Sequence, residues 1–94
     1  MPKLLIINKY VFLIYSGDLA ENRKHIHVEC RKGRFRYTAK FWLEPQVKLV
    51  DKGGFTTKEL KKIEKLIKEN IKLLNRQLEN FAEGKKIKTI KITK

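Results

Sequence analysis

Lys24-His25-Ile26-His27-Val28-Glu29-Cys30 alternates strictly between polar and apolar residues, the period of a β-strand with one face on a core. If Ile26, Val28 and Cys30 point inward, then His25, His27 and Glu29 share the opposite face, the histidine Cα atoms roughly 6 to 7 Å apart. The stretch decides the fold class because the residues after it keep the same period. Arg31-Lys32-Gly33-Arg34 reads as a hairpin turn in which Gly33 can take a positive φ. The return strand over residues 35–43 puts Phe35, Tyr37, Ala39 and Phe41 on the core face and Arg36, Thr38, Lys40 and Trp42 on the other. Pairing Cys30 with Phe35 sets Glu29 opposite Arg36, His27 opposite Thr38 and His25 opposite Lys40, which makes the outer face polar and cationic.

Upstream lie an opening strand and the nearly all-apolar residues 10–15, which read as a central strand ended by Ser16-Gly17-Asp18, with a polar loop over residues 19–24. Downstream, Glu44-Pro45 turns the chain into a short strand over residues 46–50, and Asp51-Lys52-Gly53-Gly54 closes the β region. Thr56-Thr57-Lys58-Glu59 is a capping box with Thr56 as N-cap, and Phe55 with Leu60 forms the hydrophobic staple around it. One helix is expected from Thr57 to about Glu83, with Gly84 beyond its end. At 1.5 Å per residue it is roughly 40 Å long, about twice the length of the strands it covers. Leu60, Ile63, Ile67, Ile71, Leu74, Leu78 and Phe81 make its core stripe, and Leu66 and Leu73 widen the apolar sector to about half the circumference. Leu66 and Leu73 are therefore candidate interface residues of a homodimer or heteromer.

The fold class is α+β: an antiparallel sheet of four to five short strands packed on one long C-terminal helix. A single domain spans residues 1–94, with a β region over 1–52, the helix over 55–83, and a lysine-rich tail or extra edge strand over 85–94 built on Ile87, Ile90 and Ile92.

A chain of 94 residues with a formal net charge of +13 invites a polyanion: nucleic acid (RNA or DNA) first, a small acidic partner protein second, an anionic membrane surface third. A lysine-rich proteome would produce the same balance. The excess runs the length of the chain, with eleven Lys or Arg against five Asp or Glu before residue 56 and twelve against five after it. The candidate contact residues are Arg23, Lys24, Arg34, Arg36, Lys40 and Trp42 of the β region, and the helical ladder Lys61, Lys65, Lys68, Lys72 and Arg76. A lone Cys30 on the apolar side of its strand reads as a core thiol, and the lack of a cysteine framework agrees with a reducing, cytoplasmic setting. Asn8-Lys9 interrupts the N-terminal apolar run too early for a membrane span of about 20 residues.

The chain carries no Walker loop, Gly-x-Gly-x-x-Gly, paired-cysteine zinc site or nucleophile elbow. His-x-His supplies two imidazoles and no complete ligand set, so no metal and no cofactor is expected. As a ribonuclease-like pair, His25 and His27 would serve as base and acid on an RNA 2′-hydroxyl and its leaving oxygen, with Lys40 or Arg36 neutralising the phosphate. The simpler reading is a solvent-facing or interface-facing strand without catalysis.

Met1-Pro2, the strand ending in Asp18, His25-x-His27-Val28, Ala39-Lys40-Phe41-Trp42-Leu43-Glu44-Pro45, and Gly54-Phe55 leading into a helix together resemble a small prokaryotic family, the domain of unknown function DUF4160, over residues 1–83. Members usually carry Asp-His-x-Pro-Pro before the His-x-His-Val motif. Here Asp18-Leu19-Ala20-Glu21-Asn22-Arg23-Lys24 stands instead, without the prolines or the preceding histidine, so whatever that histidine does in relatives is not done the same way. The resemblance implies a compact α+β fold and genes often paired with another small protein, in a toxin–antitoxin-like arrangement. The expectation is a small basic cytoplasmic binding protein of such a module. The alternative is a metal-independent endoribonuclease toxin centred on His25 and His27.

Overall fold

The computed structural model describes residues 3–14 and 24–93. Among them the chain forms β1 (Lys3–Ile7), β2 (Tyr10–Leu13), β3 (His25–Lys32), β4 (Phe35–Trp42), β5 (Lys48–Asp51), α1 (Thr57–Glu69), α2 (Ile71–Ala82) and β6 (Ile90–Ile92). The strand end expected at Ser16-Gly17-Asp18, the loop residues before Lys24, and the candidate Arg23 lie outside the described residues.

The strands form one sheet in the order β5-β4-β3-β2-β1-β6. β1 to β5 pair antiparallel, as the hairpin signals imply, but β6 runs parallel to β1, so the sheet is mixed and has six strands rather than four or five antiparallel ones. The reason is topological: the chain leaves the sheet at the β5 edge, crosses one face as α1 and α2, and re-enters at the far edge beside β1. Thr89 Oγ1 donates to the Lys3 carbonyl at 2.8 Å and the Asn8 amide to the Ile92 carbonyl at 3.3 Å, which fastens the added strand.

Inside the β3–β4 hairpin the partner of Cys30 is Tyr37, not Phe35, and the register continues through Val28↔Ala39 to His25↔Trp42. The loop is Gly33-Arg34 alone, with Gly33 at φ 59°, the position and sign that a two-residue type II′ turn asks of glycine. A two-residue slip preserves side-chain parity, so both faces are as expected, while each cross-strand partner changes. Phe35 moves to the turn, opposite Lys32, and is 68% exposed instead of joining the core.

The core lies between the sheet and the helices. Leu5, Ile7, Tyr10, Phe12, Ile26, Val28, Cys30, Ala39 and Phe41 meet Leu60, Ile63, Leu66, Ile67, Leu74 and Leu78. A register shift between Lys3 and Leu5 lets the consecutive Leu4 and Leu5 both be buried, and the bulge leaves the Leu4 carbonyl to a side chain. That side chain is the buried Gln77, whose Nε2 donates to the Leu4 carbonyl at 3.0 Å and the Lys88 carbonyl at 2.8 Å. One amide thus ties α2, β1 and the approach to β6 together.

The capping box is present: the Glu59 amide donates to Thr56 Oγ1 and the Thr56 amide to Glu59 Oε1, each at 3.2 Å, while Phe55 and Leu60 are buried beside them. The single long helix is not. It breaks at Asn70 (φ −116°, ψ 20°), whose side-chain amide donates to the Leu66 carbonyl at 2.8 Å alongside its own backbone N–H at 3.2 Å. Asparagine is a weak helix former because its amide competes for such carbonyls, and here that competition divides the rod. The bend lets both halves follow the sheet. Leu66 is buried in the core and Leu73 is partly buried against it, so the uncovered sector expected at those two residues is absent. Gly84, at φ 78°, ends α2 in a Schellman motif, with Lys85 N–H donating to the Asn80 carbonyl and Gly84 N–H to that of Phe81. No helix among the described residues is long and apolar enough to cross a membrane.

Candidate nucleic-acid interface

Among the described residues, no helix packs on the sheet face turned away from the core. Its side chains follow from period-two alternation and register: Val11↔Glu29 and Leu13↔His27 between β2 and β3, then His25↔Trp42, His27↔Lys40, Glu29↔Thr38 and Arg31↔Arg36 between β3 and β4.

Two zones divide this face. Toward the start of β3, His25 meets the His27 ring edge-on at 5.4 Å and the Trp42 ring at 5.7 Å, and the Lys40 ammonium sits 5.0 Å from the Trp42 ring centre. His25 is only 2% exposed and Leu13 is likewise buried, so the histidine expected to face solvent or an interface belongs to a packed outer cluster. Lys40, Trp42 and His27 are half-buried beside it. Sequence reasoning paired the two histidines correctly but could not see the burial, which strand alternation does not encode.

Toward the hairpin end the face opens and becomes cationic. A groove of about 330 Å³ is lined by Lys3, Lys9, Val11, Glu29 and Arg31. Arg31 and Arg36 stand directly opposite each other, both exposed, with Glu29 Oε1 3.7 Å from the Arg31 Nε. Arg34 is exposed in the turn. The hairpin is braced from behind: Lys32 forms an ion pair with Glu59 of the capping box and lies 5.4 Å from the Tyr37 ring centre, and Tyr37 packs on Phe55 at 5.9 Å. Hydrogen bonds from Lys32 and from the Thr56 backbone hold the Glu59 carboxyl below its usual range, and the same carboxylate holds the Lys32 ammonium above its own.

Other expected contact residues lie elsewhere. Lys24 sits 3.7 Å from both Glu44 and Glu79, engaged by carboxylates at the far end of β3. Lys61, Lys65, Lys68, Lys72 and Arg76 are exposed on the helix layer, on the opposite side of the molecule from the outer sheet face, and the Lys68 ammonium is 3.4 Å from Glu64. The helical ladder and the sheet cations are thus carried by different layers. The groove residues Lys3, Lys9 and Arg31 and the exposed Phe35 were not among the contact residues expected from the sequence. A glycine at the first of two loop positions is the signal that would have shortened the turn and brought Phe35 to the tip. Among the described residues no three His, Cys, Asp or Glu side chains gather as metal ligands.

No curated protein and no solved structure matches the chain. The family profile of the domain of unknown function DUF4160 matches residues 10–79, which takes in the outer face from Tyr10 to Trp42, the capped helix and most of α2. The chain belongs to the DUF4160 family.

Proposed function

We propose that this protein binds nucleic acid through the hairpin end of its outer sheet face, within a cytoplasmic, toxin–antitoxin-like gene pair of the kind the family resemblance implies. One observation carries the reading: Arg31 and Arg36 oppose each other across β3 and β4, beside a groove that also presents Lys3 and Lys9. Like charges directly opposite in a sheet destabilise it, and phosphates laid between them remove that cost. The formal charge of +13 supplies long-range attraction to the same ligand. A small acidic partner protein is the competing ligand. RNA cleavage by His25 and His27 has less support, because a histidine 2% exposed does not reach a scissile phosphate.

The test is fluorescence anisotropy of labelled RNA and DNA oligonucleotides over a salt series. Affinity should fall with a log–log slope of about 0.7 to 0.9 per phosphate neutralised. Changing Lys9, Arg31 and Arg36 together to Glu should abolish binding, whereas changing Lys65, Lys68 and Lys72 to Glu alters net charge equally and should leave most of it. Salt-independent binding, or loss confined to the helix variant, overturns the proposal.

A further inference from the structure

Phe35 is the most exposed large apolar side chain among the described residues, at 68%. It stands at the tip of a hairpin reading Arg31-Lys32-Gly33-Arg34-Phe35-Arg36, every residue of it exposed. An isolated surface phenylalanine needs no explanation. One flanked on both sides by arginines and held by a braced ribbon does. Lys32, the direct cross-strand partner of Phe35, is tied to Glu59 at the start of α1, and the Phe35 ring lies 6.4 Å from that of Tyr37, which is itself packed on Phe55. The ring therefore stands beside a second aromatic on a ribbon tied to the start of α1.

Resting on the nucleic-acid reading above, we infer that the hairpin tip captures an unpaired nucleotide: its base stacks on Phe35, and the flanking phosphates lie on Arg34 and on the opposed Arg31 and Arg36. Stacking is open to any base because each has a π-face. Alternation sends Phe35 from the ribbon on the core-facing side and Arg31 and Arg36 from the other, so the ligand must pass around the tip. A single strand turns around a two-stranded ribbon whose strands are about 5 Å apart, whereas duplex DNA, with a persistence length of about 50 nm, does not. Insertion of the ribbon into a duplex groove is the competing geometry. The ribbon does run beyond its lateral pairings, which end at Val11↔Glu29 and Lys40↔Asp51, so the matching duplex is included as a ligand in the experiment.

The experiment compares a mixed-sequence single-stranded RNA 12-mer, its DNA counterpart, the matching duplex and poly-glutamate as ligands of wild type, Phe35→Ala, Phe35→Trp and the Arg31→Gln/Arg36→Gln pair. Phe35→Ala should weaken single-strand binding at least fivefold at an unchanged salt slope, as loss of one stacked base requires. Phe35→Trp should restore it, and the arginine pair should lower the slope. Preference of RNA over DNA would identify a 2′-hydroxyl contact within the same site. Because Phe35 is exposed, circular dichroism should report an unchanged fold for both of its variants. Single-strand affinity that Phe35→Ala leaves within twofold, duplex bound as tightly as single strand, or poly-glutamate competing on equal terms would overturn the inference alone. Failure of the wild type to bind any oligonucleotide would overturn it together with the proposed function.

Discussion

Replacing His25 by Ala separates a structural histidine from a surface one. The residue is 2% exposed, and its ring makes edge contacts with His27 at 5.4 Å and Trp42 at 5.7 Å. Truncating a buried Phe or Trp costs about 3–5 kcal/mol, and aromatic edge contacts contribute about 0.5–1.5 kcal/mol each beyond buried area. An imidazole is smaller and more polar than either ring, which brings the expected loss to about 2–3 kcal/mol. His27 is half-buried and its alanine variant should lose about 1 kcal/mol or less. At about 4–8 °C per kcal/mol for a domain of this size, His25→Ala should melt about 8–24 °C below wild type and His27→Ala within about 8 °C. Calorimetry with parallel urea titration measures both. His25→Ala within about 0.5 kcal/mol of wild type, or indistinguishable from His27→Ala, would refute the packing argument and return His25 to the set of groups available to a substrate.

Gln77→Met keeps the side-chain shape but removes the donor to the Leu4 and Lys88 carbonyls, and should cost about 2 kcal/mol, with faster hydrogen exchange at Ile90–Ile92; unchanged exchange there would mean that β6 does not depend on this amide. The Lys32–Glu59 brace should be acid-labile. The carboxyl is held below its ordinary value of 4.5, so its contribution is complete above that pH and disappears as pH falls through the folded value. The ammonium is held above 10.5, so its contribution is complete below that pH and is lost above it, leaving a window of full effect between the two. Lys32→Gln should therefore lose less stability than wild type between pH 7 and pH 3, and parallel acid titrations of the two proteins would contradict the assignment.

What residues 24–93 settled on their own was local. The capping box at Thr56-Thr57-Lys58-Glu59 and the Schellman glycine at Gly84 involve contacts a few residues apart, and both stand where the chain places them. The faces of β3 and β4 were also legible, because period-two alternation survives an error of two in the register. Even the bend at Asn70 had a local sign in a weak helix former, outweighed in the reading by the unbroken apolar stripe around it. The burial of His25, the exposure of Phe35, the catch of Gln77 on two strands, the parallel entry of β6 and the separation of the helical and sheet cations onto opposite sides were decided only when distant segments packed. Each depends on what lies across from a residue in space. Periodicity states which side of its own element a side chain leaves, and only tertiary packing determines whether that side meets protein or water.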